Sequence, residues 1–320
     1  MSSSHFAVAL TALVFAAGAG AAYPDKPVRL VAPFVAGGPT DIVARVVAQH
    51  LTQAFGQTVV VDNRGGASGA IGCEIVARAV PDGYTLMIGS SGNLAVAPAL
   101  FARLPYDPAK DFQAITQTTS GPQVLALFPG VPAKTVPELL VLARAKPGGL
   151  NYASGGTGTT TQLGMELFKS MAGVEIVHVP YKGTGQALND LLAGQVQIMM
   201  ASLLPALPQV RAGRLRGIAV TSAQRTAALP DTPTIGESGV AGFETTSWHG
   251  LLTPAKTPAA IVARVHAEMV KMLNQPDVKA LFLAQGMDTV GNTPSEFADY
   301  IRGETAKWTR VVRALGIAPQ

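Results

Sequence analysis

Cysteine is almost missing from this chain. Cys73 is the only one among 320 residues, so no internal disulfide can form. No cysteine lies near residue 22 either, which argues against a lipid-anchored lipoprotein. Charge is sparse, at 14% of residues, and the net +4 is scattered. No basic run or Arg/Lys stripe interleaved with aromatics occurs, so a nucleic-acid partner has little support. The chain has no G-x-x-x-x-G-K-[ST], no G-x-S-x-G elbow and no H-E-x-x-H. Its five histidines, His5, His50, His178, His249 and His266, are dispersed and form no triad or ligand motif. No metal and no cofactor is therefore expected, and catalysis is not. Beyond the N-terminus no stretch is long and uncharged enough to span a bilayer.

What is present begins with an apolar leader. "HFAVALTALVFAAGAGAA" is Ala-rich and ends in small residues, with Gly20 and Ala22 placed as a signal peptidase requires. Residues 1–22 read as a signal peptide cleaved near Ala22, although "MSSSH" offers only His5 as a basic group. The expected location is the periplasm. The alternative, a buried N-terminal helix, is the weaker reading. Cys73, in "GAIGCEIVARAV", reads as a small buried helical residue rather than a nucleophile.

The remainder alternates strand and helix patterns, at 48% hydrophobic residues, which predicts an α/β fold with largely parallel sheets. "PVRLVAPF", "QTVVVDN" and "YTLMIGS" read as strands. Between the first two, Ile42, Val43, Val46, Val47, Leu51 and Ala54 keep one helical face. A second series follows, with strands "VLALFPG", "LNYAS", "EIVHVPYKG", "VQIMMAS" and "LRGIAVTS". The stretch "QRTAALPDTPTIGESGVAGF" reads as a loop with a short helix. "TTSWHGLLTPA" is strand-like, and three helical segments close the chain. The pattern divides into residues 23–124 plus 246–320 as one lobe and 125–245 as the other.

Three strand-to-helix junctions carry the same chemistry. In "PFVAGGPTD", Pro39 suits the first helical position with Gly38 as cap, leaving the N–H groups of Thr40 and Asp41 at the helix end. In "YASGGTGTTTQLG", Thr159 and Gln162 fit a capping box. In "VPYKGTGQALNDLL", Tyr181, Lys182, Gly183 and Thr184 precede a helix. Glycines let the backbone approach a ligand, and free N–H groups at a positive helix end suit a carboxylate or phosphate. Any one of these turns could simply start a helix, with Asp41 serving its own N-terminus and Lys182 solvated. Their recurrence in both halves of an exported chain points to an anion cleft. A dinucleotide reading, with Asp62 as the ribose acid, fails because "VAGGPTD" lacks G-x-G-x-x-G.

These junctions belong to a longer series of motifs: "YPDKPVRLVAPFVAGGPTDIVAR", "VDNRGGASGAIG", "PDGYTLMIG", "YASGGTGT", "HVPYKGTGQALNDLLAG", "LRGIAVTSAQRTAALPDTPTIGESG" and "WHGLLTPAKTP". Through them the chain, from about Tyr23 to its end, resembles the Bug family, the periplasmic solute receptors of tripartite tricarboxylate transporters. The resemblance implies a two-lobed periplasmic-binding-protein architecture of the Venus-flytrap, type II-like kind, with two crossing strands. It implies a monomer that holds a small organic acid and delivers it to the membrane permease subunits. The site residues so implied are Phe34, Gly37, Gly38, Pro39, Thr40, Asp41 and Ser90 from one lobe, with Trp248. From the other come Ser154, Gly155, Thr157, Gly158, Thr159, Tyr181, Lys182, Gly183 and Ser202. The chain departs from the family pattern at Gln162, where His is frequent. It departs again in "QIMMAS", where Gln197, Met200, Ala201 and Ser202 replace a run that usually carries acids. The expected pocket is less acidic and more apolar, and favours a plain organic acid, or an aromatic or amide-bearing compound, over an amino acid. The alternatives are a sensory partner that presents ligand to a membrane receptor, and a secreted α/β enzyme.

Overall fold

A computed structural model describes residues 23–314 and 316–317. The expected leader, residues 1–22, lies outside the described residues. The first sheet starts with β1 (Val28–Ala32), helix α1 (Pro39–Phe55) and β2 (Val59–Asn63), then α2 (Ala70–Ala77) and β3 (Thr85–Ser90). A π-helical turn over Gly92–Val96 runs into α3 (Ala97–Leu100), and β4 (Phe112–Gly121) follows. The second sheet is built from β5 (Gln123–Leu127), α4 (Val136–Ala145), β6 (Asn151–Ser154), α5 (Thr160–Ala172) and β7 (Val177–Pro180). It continues with α6 (Thr184–Leu192), β8 (Ile198–Ser202), α7 (Leu203–Arg211) and β9 (Arg216–Val220). The chain then returns through β10 (Ser247–Pro254), α8 (Ala259–Leu273), α9 (Pro276–Leu283), β11 (Asp288–Thr289) and α10 (Pro294–Ala314).

Strand order is β11-β4-β10-β3-β1-β2 in the first sheet and β7-β6-β8-β5-β9 in the second. The sheets are mixed, not largely parallel as the alternation predicts. β1 runs parallel to β2 and β3, but β10 is antiparallel to β3 and β4. Likewise β6 is parallel to β7 and β8, whereas β5 is antiparallel to β8 and β9. The reversals arise where the chain changes sheet. β4 ends at Gly121 in the first sheet and β5 starts at Gln123 in the second, and the return pass enters the first sheet at Ser247.

The two passes are clasped together. Gln123 N–H donates to Thr221 Oγ1 at 2.8 Å, and Thr221 N–H donates to Gln123 O at 3.0 Å. Thr245 N–H donates to Thr221 O at 3.0 Å, and the Thr221 hydroxyl donates to Thr245 O at 2.8 Å. Between them, residues 221–246 fold as turns, without the short helix expected there. Thr234 and Glu237 close one of these turns on each other: Thr234 N–H donates to Glu237 Oε2 and Glu237 N–H to Thr234 Oγ1.

Each sheet has its own core. Val43, Ala44, Val47 and Leu51 of α1 are buried against Leu30, Leu86 and Ile88 of the first sheet. On its other face Trp248, Phe297 and Trp308 pack with Cys73, whose thiol burial pushes well above its ordinary pKa. Leu125, Tyr152, Phe168 and Ile198 fill the second core. Side chains of this size each contribute roughly 1.5–3 kcal/mol on full burial. Among the described residues no helix is long and apolar enough to cross a membrane.

Candidate functional site

The ends of β1, β3, β6, β7 and β8 converge between the two sheets. At the first junction Gly38 caps α1 with an extended backbone and Pro39 takes the first helical position. Gly37 turns left-handed, at φ 81°, and this aims its N–H at Asp41 Oδ2, 2.9 Å away. Arg45 Nε donates to the same oxygen at 2.9 Å. Burial opposes the charged carboxylate, but the bonds from Arg45 and Gly37 outweigh it and hold Asp41 below the usual carboxylate range. Asp41 thus braces the turn, while buried Thr40 and the Phe34 and Pro39 side chains face the cleft.

The second junction folds differently from the expected capping box. Gln162 Oε1 accepts from Gly158 N–H at 2.7 Å, and the Thr159 hydroxyl donates to Gly156 O at 2.7 Å. Gly158, at φ 81°, points its N–H at Gln162, so the box is replaced by a turn that spends both side chains on the glycine loop. Gly155 N–H donates to Thr161 Oγ1 at 3.0 Å, which fixes the start of α5. Ser154 lies beneath, bonded to His178 Nε2 at 2.6 Å and accepting from Gly156 N–H. That serine–histidine pair resembles a nucleophile and base. Ser154 is fully buried, however, burial holds His178 below its ordinary pKa, and neither lines the cleft.

At the third junction Gly183 caps α6 and Thr184 faces the cleft. Tyr181 turns away and donates to Asp190 Oδ2 at 2.7 Å; burial and that carboxylate push its hydroxyl up to about 12. Lys182 is exposed. Trp248 is also directed elsewhere: its indole is buried edge-on to Phe297 and Tyr300 and donates to Glu304 Oε2 at 3.3 Å.

The cleft encloses about 30 Å³. Small-molecule pockets run to about 300–1,000 Å³, so the walls stand close together. Of the expected residues, Phe34, Pro39, Thr40, Ser90, Thr159 and Ser202 line it. Gly37, Gly38, Asp41, Gly155, Gly158 and Gly183 shape the surrounding turns. Thr157 bridges the walls, since its carbonyl accepts from the Ser68 hydroxyl opposite. Sequence reasoning missed Ser91, Gly92, Gln123, Ser247 and His249, and did not single out Thr160 and Thr161. Strand alternation could have found two of these, because Ser247 and His249 share one face of β10 and Trp248 holds the other. His249 is fully buried with Nδ1 3.2 Å from Thr119 Oγ1, and burial pulls it down to about 4, so the ring is neutral.

Among the described residues, no lysine, arginine, aspartate or glutamate lines the cleft. Its polar surface comes from hydroxyls, one amide and one neutral imidazole, and from the first turns of α1, α5 and α6 and of the π-helical turn. Helix N-termini present unpaired N–H groups and a partial positive charge. Among the described residues no group of three metal-ligating side chains occurs. Two mixed α/β lobes, joined by two clasped passes and closing on an anion-seeking cleft, define a solute-binding receptor.

The family model described as tripartite tricarboxylate transporter family receptor (TctC) matches residues 43–317. The chain belongs to that family. It is 38% identical over 292 residues to the "UPF0065 protein in tcbD-tcbE intergenic region" of Pseudomonas sp. (strain P51), covering 91% of this chain and 87% of the relative. It is 35% identical to the protein BugT of Bordetella pertussis, covering 92% and 90%. Among solved structures, R. palustris Rpa4515 with adipate superposes with a TM-score of 0.91 at 37% identity, over 93% of this chain and 100% of that one. MatC from Rhodopseudomonas palustris with bound malate gives 0.87 at 33% identity, over 91% and 100%. The matched family is one of receptors, and two of these solved neighbours hold a small carboxylate.

Proposed function

We propose that this chain is a periplasmic receptor that captures a small carboxylate-bearing metabolite between its lobes and delivers it to the membrane permease of a tripartite tricarboxylate transporter. The observation that carries this reading is a narrow cleft faced by helix N-termini from both sheets, with no acidic side chain among its described lining residues. Adipate in one solved relative and malate in another support the ligand class. The carboxylate sits against Thr40 of α1 and Thr159–Thr161 of α5, and the glycine turns at Gly37–Gly38 and Gly155–Gly158 bring the backbone to it. One lobe carries the first sheet, with the chain before about residue 122 and after about residue 246, the other carries the second sheet, and the receptor acts as a monomer after cleavage near Ala22. Lobe closure removes competing water and strengthens each hydrogen bond to the anion.

The test is a thermal-shift screen of the mature protein, unfolded and refolded to strip any carried ligand, against mono-, di- and tricarboxylates and amino acids. A ligand at a hundred times its Kd adds about 2.7 kcal/mol of stability. A clear rise in melting temperature with at least one carboxylate is expected. If no carboxylate shifts the refolded protein, the reading fails.

A further inference from the structure

A second cavity, a groove of about 600 Å³, lies on the first sheet's side of the molecule and shares no lining residue with the cleft. Its floor is apolar. Phe112 and Ala114 of β4 and Leu252 of β10 are buried there, and Ala114 pairs with Leu252 in the β4–β10 ladder. One wall is Pro98 of α3 with the turn at Asp107–Ala109; the other is a single face of α10. Ala298, Ile301, Thr305 and Thr309 recur on that face at helical spacing, with exposed Ala306 among them. The volume lies within the range of about 300–1,000 Å³ that small-molecule pockets occupy.

The face of α10 changes character along the groove. It begins apolar, at Ala298 and Ile301, and ends cationic, at Arg310 and Arg313. Arg302 lies between and is bonded to Asp299 of its own helix. Arg310 and Arg313 form no ion pair among the described residues. Residues three apart are neighbours on a helix, so these two guanidinium groups stand on one face, one turn apart. The only acid among the described lining residues is Asp107, and its carboxylate is already engaged. Lys110 Nζ donates to it at 2.7 Å and Ala109 N–H at 2.9 Å. Arginines near a helix C-terminus also favour the helix itself, but that role does not call for an apolar trough beside them.

We propose that this groove is a second small-molecule site, which takes an amphipathic carboxylate with its apolar body on the sheet floor and its anionic head at Arg310 and Arg313. The inference goes beyond the reading of the cleft and does not depend on it. Seating a hydrocarbon chain on Phe112, Ala114 and Leu252 removes apolar surface from water on both sides. The planar guanidinium fork matches a carboxylate with two parallel N–H···O bonds, which a neutral head group cannot draw with equal strength. Neither half of the site suffices alone: a short acid has no tail for the floor, and an alcohol has no charge for the arginines.

Titration calorimetry on the refolded, ligand-stripped protein tests this with octanoate, using acetate and 1-octanol as controls. Octanoate is expected to bind saturably, and each control at least about tenfold more weakly. The double substitution Arg310→Ala with Arg313→Ala should weaken octanoate by about tenfold or more. Ala306→Phe, at an exposed position, should do the same by filling the trough. Both variants should keep the far-UV circular dichroism of the parent and its response to short carboxylates in the thermal-shift screen. Octanoate binding that survives both variants belongs to the cleft and overturns the proposal. So does 1-octanol binding as tight as octanoate, which would mark a merely apolar surface, and so does the lack of saturable octanoate binding. A parent that sediments as a dimer while Ala306→Phe sediments as a monomer would place a second copy of the chain in the groove, and would equally overturn it.

Discussion

Gly183 presses on Val35 across the cleft: a Cβ built on the glycine would stand 2.6 Å from Val35 Cγ2. The glycine's own backbone, at φ 166°, is extended and suits any residue. Gly183→Ala is therefore harmless within its own lobe and obstructive only when the lobes meet. Overpacking costs about 1–3 kcal/mol, so ligand affinity should fall roughly ten- to hundredfold. Calorimetry should show that loss while far-UV circular dichroism stays unchanged, and Val35→Ala in the same chain should restore binding. Unaltered affinity in Gly183→Ala would show that closure does not bring these residues together.

Ser68 donates to Thr157 O from the opposite wall, so this bond exists only while the walls are closed. A net hydrogen bond contributes about 0.5–1.5 kcal/mol. Ser68→Ala should speed ligand release by roughly two- to tenfold in stopped-flow measurements. The association rate should change less, because the open form has no such bond to lose.

His249 makes stability depend on acid. Its folded pKa lies near 4, below the ordinary value of about 6.5. Between those values the unfolded chain binds a proton that the folded chain refuses. Stability is then complete above about pH 6.5 and is lost as pH falls toward 4, by about 3 kcal/mol in all. Urea midpoints measured at pH 7, 5.5 and 4.5 should fall accordingly. His249→Gln should flatten the slope; an equal slope in that variant would assign it to other groups.

Asp41 acts at lower pH. Its folded pKa is depressed despite burial, so the stability it provides is present above the ordinary carboxylate value of about 3.9 and is lost as pH falls through the lower folded value. Asp41→Asn keeps the size but weakens the bonds to Gly37 and Arg45. It should lower stability by roughly 1 kcal/mol at pH 7 and by less at pH 3, measured by denaturant titration.

Much of this was legible in the sequence because the information was local. Pro39 after Gly38, and the spacing from Val43 to Leu51, place α1 within its own residues. The strand β4 was not legible. "FQAITQTTSG" is buried along nearly its whole length yet mixes Thr and Gln with apolar residues, so neither alternation nor an apolar run announces it. Its polar groups are satisfied by distant partners such as Asn292, which accepts from Thr116 and from Gln117 N–H. The same remoteness hid Gln123 and His249, which line one cavity although they lie 126 positions apart in the chain. Trp248 drew attention as a large aromatic in a promising motif, but β10 sends it to the core and turns its two neighbours toward the cleft. Thr159 and Gln162 had the right spacing for a capping box, and the left-handed Gly158 redirected both side chains.

The cleft has no ionised side chain in its lining, and this governs its response to salt. Mobile ions screen exposed charges beyond about 10 Å at 0.1 M, but they do not reorient amides fixed at helix ends. The hold on the anion should therefore stay nearly constant from dilute buffer to brine. A receptor of this design keeps its grip in surroundings whose ionic strength it does not control.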